Sequence, residues 1–372
     1  MRPIYLDHNA TTPLRRTAAD ALAGAMAECG NASSVHWAGR RARARIDDAR
    51  DAVAGLLGAQ PADVVFTSGG TEANNLALRG SGGRPVIVSA IEHSSVLEAR
   101  ADADLCPVDS DGRVDLDALR EALERTQAPA LVSVMMANNE TGVIQPIAAA
   151  AEICRQYGAL LHCDAVQAAG KMAVDWRDLG ADMVSLSAHK IGGPQGVGAL
   201  IVGEKSGLKP LLTGGGQERG LRAGTENLPG IAGFGAAAEI AAGAGTEYTR
   251  LQVLRDRIED TIAALGAGAR FHGNGAARLG NTSCIGMPGV LAETQVMAFD
   301  LEGIMVSAGA ACSSGKVRPS HVLGAMGVAE DQANQAVRVS LGWDSEATDA
   351  DAFVAAWWQL FERLAANRAS AA

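Results

Sequence analysis

The stretch "SLSAHKIGGPQGVGAL" places Lys190 after an apolar run, beside His189 and ahead of a glycine-rich loop. A lysine at the end of a buried strand is partly desolvated, which lowers its pKa and leaves an amine able to form a Schiff base. An exposed lysine in a flexible loop would look the same. "HCDAVQ" puts Asp164 at the end of a second apolar run. A carboxylate there needs a partner; a protonated pyridine nitrogen would supply one, and a local arginine or a turn would serve equally. Gln167, three residues on, could reach a ring hydroxyl. "TSGGTEANN" joins a strand to a helix through Gly69, Gly70 and Thr71, whose N–H groups and hydroxyl can cradle a phosphate. It is neither a Walker A loop nor GxGxxG, so a dinucleotide is not favoured. His93 in "EHSS" follows another apolar run and could stack on a flat ring or move protons, or serve as a structural hydrogen-bonding residue. Cys312 lies in "SAGAACSSGKVRPSHVL", among small residues that bury little side-chain surface. A thiol in such a loop is a candidate nucleophile, with a small buried cysteine as the alternative.

Each residue has a structural explanation when taken singly. Together they fit one ligand: a phosphate anchor, a Schiff-base lysine, an acid for a pyridinium nitrogen and a flat ring. That set describes pyridoxal 5'-phosphate (PLP), and no metal site is expected beside it.

The elements that must position these residues alternate. Strands are predicted at 63–67, 85–90, 130–137, 159–164, 183–188 and 198–203. Helices are predicted for "TEANNLALRG", "SSVLEARADA", "DLDALREAL" with an acidic cap, and "IAAAAEICRQYG" stopped by Gly158. Such alternation implies βαβ units and a mostly parallel sheet, with ligands beyond the carboxyl ends of its strands. After about residue 245, helices at 247–265 and 348–366 flank short strands at 281–287, 304–309 and 337–342, which reads as a smaller α+β unit holding Cys312.

The 372 residues suffice for a large domain and a smaller one. A composition 48% hydrophobic and 20% charged is globular, and a net charge of -10 disfavours nucleic acid as a direct partner. "GRRARARIDDAR" (39–50) is interrupted by Asp47 and Asp48 and reads as a solvated helix face. No apolar run is long enough to span a membrane, and the first residues show no secretory signal. Six scattered cysteines without a CxxC pair favour reduced thiols and a cytoplasmic location.

The chain also resembles the cysteine desulfurases of the NifS/IscS type, in the class V aminotransferase group of fold-type I PLP enzymes. The resemblance runs over nearly the whole chain, through "YLDHNATTP" (5–13), "GNASSVHWAG" (30–39), "TSGGTEANN" (67–75), "EHSSV" (92–96), "NNETGVIQP" (138–146), "HCDAVQ" (162–167), "SAHKIGGPQGVG" (187–198), "RAGTEN" (222–227), "SAGAACSSG" (307–315) and "VRVSLG" (337–342). It implies an α/β fold with a large domain at 13–246, built on a mostly parallel seven-stranded sheet between helices. A small domain formed by 1–12 and 247–372 would carry the cysteine loop.

The resemblance implies that Lys190 holds PLP. Gly70, Thr71, Ser187 and His189 would bind its phosphate, with Thr225 of a second subunit in a homodimer. His93 would stack on the ring and shuttle protons, Asp164 would pair with the ring nitrogen, Gln167 with the ring hydroxyl, and Asn138 would also touch the cofactor. Arg338 and Asn9 would hold the substrate carboxylate, for which the planar guanidinium is suited. The substrate would be L-cysteine, Cys312 would take its sulfur as a persulfide, and a mobile loop at 310–318 would deliver it to an acceptor such as an iron–sulfur scaffold. Lys316 and Arg318 could favour the thiolate. His8 and Gln195 depart from many relatives. The C-terminal "LFERLAANRASAA" lacks the longer tail that housekeeping members use for docking, so iron–sulfur assembly, nitrogenase maturation and tRNA thiolation all stay open as destinations. A selenocysteine lyase, a class V aminotransferase and a non-enzymatic sulfur carrier are the competing readings.

Overall fold

The computed structural model describes residues 2–126, 128–309 and 319–371, without the side chains of 365–371. A seven-stranded sheet runs Val64–Thr67, Gly198–Val202, Met183–Ser187, Leu160–Asp164, Leu131–Ser133, Val86–Ser89, Asp104–Cys106. Only Gly198–Val202 runs antiparallel to its neighbours. Successive residues of the strands enter opposite cores, as a pleat of period two requires. Val64, Ile87, Val132, Leu161, Val184 and Ile201 face one core, shared with the helices Trp37–Leu56, Leu228–Ala242 and Ile147–Gln156. Val65, Val88, Leu131, Leu160, Met183 and Leu200 face the other, under the helix Gly70–Gly80. The near-continuous apolar runs in the sequence follow from this two-sided burial.

A second, antiparallel sheet runs Ser307–Ala308, Ala336–Ser340, Thr282–Gly286, Arg270–Phe271. It packs with the helices Gly245–Ala264 and Ala347–Ala371 on a separate core that includes Ile4, Leu6, Leu251, Ile258 and Trp357. The N-terminal strand Ile4–Tyr5 pairs with Ile304–Met305, and Asp7 bridges to Ser340, so the start of the chain belongs to this sheet's neighbourhood.

Several expectations need correction. The helix expected over 94–103 is the single turn Ser94–Leu97. Its remainder turns through an Arg100–Asp102 side-chain pair into the edge strand Asp104–Cys106, which the sequence pattern did not reveal. The strand expected at 304–309 is two short ones pairing with different partners. That expected at 130–137 is assigned only as Leu131–Ser133, although Val134 and Met136 continue to donate to His162 and Asp164. The arginine-rich 39–50 stretch lies in the helix Trp37–Leu56, where Arg41 and Arg45 both reach Glu28 and Arg43 faces Asp47. Asp115 caps the helix Leu116–Arg125 through Asp117 N and Ala118 N, and Gly158 follows Ile147–Gln156 in left-handed geometry, both as the sequence indicates.

Candidate active site

The site gathers at the carboxyl ends of the parallel strands. Val64–Thr67 leads into the helix Gly70–Gly80. A Cβ on Gly70 would lie 2.9 Å from Val166 Cγ2 and 3.5 Å from Ser187 Cβ. Only a residue without a side chain lets the helix start, the turn after Asp164 and the end of Met183–Ser187 meet this closely. Thr71 is exposed beside it in the first helical turn.

Asp164 closes the strand Leu160–Asp164 and is buried. Its Oδ1 accepts from Val166 N (2.9 Å) and its Oδ2 from Asn74 Nδ2 (2.7 Å). Both donors are neutral, and among the described residues Asp164 has no ion-pair partner. Asn74 also donates to Ser95 Oγ (2.9 Å), and Ser95 in turn holds His93. Ser95 N donates to His93 Nδ1 (3.1 Å), which makes Nδ1 an acceptor and puts the proton of the neutral ring on Nε2. Burial lowers the basicity of His93; Asp164 opposes this, and Lys190 and His321 reinforce it.

Lys190 follows the neighbouring strand in a short 3-10 turn. Its Nζ donates to Ala10 O (2.8 Å) and to Asn9 O. Burial first, then the charge of Arg338, pushes its pKa down to about 8, against the pull of Asp7 and Asp164. His189 shares Thr11 Oγ1 (3.1 Å) and is pushed down to about 4 by burial and by Lys190. Gln167 donates through Nε2 to Asn9 O (2.9 Å). The segment 7–12 therefore crosses the mouth of the large sheet and touches three of the expected site residues.

Arg338, in the strand Ala336–Ser340, comes from the other core. Its Nη2 reaches Asp7 Oδ1 (2.7 Å) and its Nη1 reaches Asn139 O (3.0 Å), while the buried Nε has no partner among the described residues. Asn9 and Asn138 are also buried, with their side chains committed. Asn9 Nδ2 donates to Thr282 Oγ1 (2.9 Å) and Asn139 O (3.2 Å). Asn138 Nδ2 donates to Ile91 O (3.1 Å), and its Oδ1 accepts from Glu140 N and Thr141 N. Thr225 is exposed on a loop whose Arg222 pairs with Glu72 (2.9 Å), the neighbour of Thr71.

Cys312, Lys316, Arg318 and the expected mobile loop at 310–318 lie outside the described residues. The chain reaches that segment from Ser307, opposite Arg338 in the sheet. It leaves at Ser320, whose Oγ donates to Glu140 Oε2 (2.6 Å). Of the five described cysteines, Cys29 is exposed and the rest are buried. Burial pushes the Cys106 and Cys154 thiols up to about 12 and raises Cys163 and Cys284 as well. These four are held as thiols and are poor nucleophiles.

The sequence reading missed Asn74, Asp7 and Lys171. Asn74 was findable: it lies one helical turn beyond Gly70, on the same helix face. Lys171 had a weaker signal, a lysine four residues after Gln167 beyond an apolar stretch. Among the described residues, no cluster of three or more His, Cys, Asp or Glu could hold a metal ion, and no helix is long and apolar enough to cross a membrane.

Residues 4–353 match the family model described as aminotransferase class-V. The chain is 44% identical over 366 residues to a cysteine desulfurase of Cereibacter sphaeroides, covering 94% of each protein. It is 40% identical to an IscS-like cysteine desulfurase of Mycobacterium tuberculosis, covering 94% of this chain and 93% of that one. The fold superposes on the crystal structure of a NifS-like protein from Rickettsia africae with a TM-score of 0.90 and 36% identity, over 97% of this chain and 100% of that one. With this fold, this sequence likeness and these strand-end residues, the chain belongs to the class-V aminotransferase family, among its cysteine desulfurases.

Proposed function

We propose that the chain uses PLP to remove sulfur from L-cysteine, releasing L-alanine and leaving the sulfur as a persulfide on Cys312. The observation that carries the cofactor assignment is Asp164. It is a buried carboxylate with two neutral donors and no ion-pair partner among the described residues, in the same electrostatic neighbourhood as a lysine whose pKa is pushed down to about 8. A protonated ring nitrogen supplies the missing cation. The start of the helix Gly70–Gly80, with Thr71 exposed in its first turn, suits a phosphate, and the unpartnered Nε of Arg338 suits a carboxylate.

On this reading Lys190 holds the cofactor aldehyde. Gly70, Thr71, Ser187 and His189 hold its phosphate, with Thr225 of a partner subunit. His93 covers the ring, and Asp164, Gln167 and Asn138 fix its polar edge. Bound PLP supplies an electron sink for the charge left when the substrate Cα–H bond breaks. His93 is held neutral by burial with its proton on Nε2, and the lone pair that can take up a proton is that of Nδ1, once Ser95 N releases it. Arg338 orients the substrate carboxylate from the small sheet; Asn9, expected beside it there, has its amide engaged with Asn139 O, Thr282, Lys171 and Asn281, and serves instead to fix the backbone segment that Lys190 and Gln167 both touch. The Cys312 thiolate attacks the substrate sulfur. A sulfur–sulfur bond forms, the Cβ–S bond breaks with its electron pair going to carbon, and two protons complete alanine.

The two cores support a division into 13–246 and a small domain of 1–12 with 247–372. The buried, unpaired cysteines suit a reducing cytoplasm, and a homodimer acting on an acceptor such as an iron–sulfur scaffold completes the reading. The test is release of sulfide and alanine from L-cysteine with a thiol reductant, for the wild type beside Cys312→Ala. Equal amounts from the wild type, with both lost in a variant that still binds PLP, is the expected result. Activity that survives the substitution overturns the persulfide route and leaves an aminotransferase chemistry.

A further inference from the structure

Lys171 is buried behind the site, and no carboxylate pairs with it among the described residues. Its Nζ donates to Gln167 Oε1 and to Asn9 Oδ1, each at 2.8 Å. An ammonium only donates, so both amide oxygens accept from it; the backbone carbonyls Asn9 O and Asn139 O, which only accept, place the two NH2 groups on the other side whatever the charge of the lysine. That decides an orientation that side-chain shape alone leaves open. Gln167 is turned so that its NH2 group points away from Lys171. One N–H goes to Asn9 O (2.9 Å), and one remains for another acceptor. Asn9 is fixed in the same way: its Oδ1 also accepts from Asn281 (3.1 Å), leaving its NH2 group for Thr282 Oγ1 and Asn139 O.

We propose that Lys171 is a positioning residue. It locks the Gln167 amide so that an N–H, and not the carbonyl oxygen, is offered to the ring oxygen of PLP. The inference rests on the PLP reading above. Without Lys171 only the Asn9 O contact is left to hold the amide, and a turn of the amide would bring its oxygen towards an electron-rich ring oxygen and repel it. A ring oxygen that loses its donor binds a proton more tightly, so the pH at which the PLP chromophore changes colour moves up.

The experiment is a spectrophotometric pH titration of the PLP-loaded protein, read as the midpoint of the visible-band change. It uses wild type, Lys171→Met, Gln167→Leu and the double variant. Lys171→Met is expected to raise the midpoint by about one pH unit, a tenfold change in proton affinity. In the Gln167→Leu background it is expected to add nothing. Where Lys171→Met does not fold, Lys171→Gln removes the long reach with a polar group retained and is expected to give the same pattern. An unchanged midpoint in Lys171→Met overturns the proposal. So does an equal further shift in both backgrounds, which would mean that Lys171 acts by its charge and not through Gln167. A wild type that forms no coloured complex with PLP overturns the underlying reading itself, and is distinguishable because it precedes any comparison of variants.

Discussion

Asn74 Nδ2 lies 2.7 Å from Asp164 Oδ2 and 2.9 Å from Ser95 Oγ, so one amide group ties the acid to the loop that carries His93. The helix that starts at Gly70 thus also sets the acid's direction. Asn74→Ala removes a donor from a buried carboxylate, a change worth about 1.5–3 kcal/mol where the group is charged. Titration of the apoprotein with PLP, followed by absorbance, is expected to show affinity reduced roughly ten- to a hundredfold. Unaltered affinity would show that Asp164 holds its orientation without Asn74.

Lys190 is the group whose pH dependence is most directly accessible. Its folded pKa is pushed down to about 8, and attachment of an aldehyde requires the free amine. The rate of colour formation on adding PLP to apoprotein is therefore expected to rise with pH around a midpoint near 8, not near the ordinary lysine value. Arg338 is the second cause of the shift, so Arg338→Met is expected to move this midpoint upward. The same shift bears on stability. Between pH 8 and 10.5 the unfolded chain binds more protons at this site than the folded one, so this group's contribution makes the apoprotein more stable as pH rises through that window. A rate profile that continues to climb toward the ordinary lysine range in the wild type would contradict the assignment.

The alternation of strands and helices in 63–203 was legible because parallel strands buried on both faces leave continuous apolar runs, and because polar residues directly after such runs mark the ligand edge. Lys190, Asp164, Gln167 and His93 were all found that way. Asp104–Cys106 was not, since a three-residue edge strand with two exposed positions carries no periodic signal. Lys171 and Asp7 were passed over for a different reason. Asp7 meets Arg338 331 residues away and Lys171 meets Asn9 162 residues away, contacts that no local pattern encodes; only the Lys171–Gln167 contact, four residues apart, had a local trace. The roles of Asn9 and Arg338 came only with the family resemblance, because the segment 7–12 and the strand Ala336–Ser340 reach the site by tertiary packing alone.

Glu218 is another long-range contact with a measurable consequence. It is buried against Arg50, with carboxylate–guanidinium bonds of 2.7 and 2.8 Å, and also accepts from Phe66 N at 2.9 Å. It joins the helix Trp37–Leu56 to the edge of the large sheet. Glu218 and Arg219 both adopt positive φ, of 44° and 56°, a conformation that non-glycine residues hold only when their surroundings impose it. Glu218→Ala strands a buried guanidinium, and the expected loss of stability is about 3–5 kcal/mol in urea unfolding. Combining Arg50→Met with Glu218→Leu removes both charges and is expected to recover part of that loss, with Phe66 N still lacking its acceptor. A double variant as unstable as the single one would place the stability in the backbone turn and not in the ion pair.

His8, one of the departures from many relatives, is accommodated by Gly342. The ring is buried, shares Thr12 Oγ1 at 2.5 Å, and packs edge-on against Tyr5 with centroids 5.0 Å apart. A methyl group on Gly342 would overlap the His8 ring outright. Burial and the nearby Lys171 push His8 down to about 4, so the ring is neutral at pH 7 and adds no charge behind the site. Overpacking of this kind typically costs about 1–3 kcal/mol, and an overlap with a ring held on two sides belongs at the upper end. Gly342→Ala is therefore expected to lower the urea midpoint by an amount equivalent to about 3 kcal/mol. His8→Ala in the same chain clears the space, so the double variant is expected to be more stable than Gly342→Ala alone. Simple additivity of the two substitutions would mean that the backbone at 342 relaxes away from His8, and that the two positions do not constrain each other.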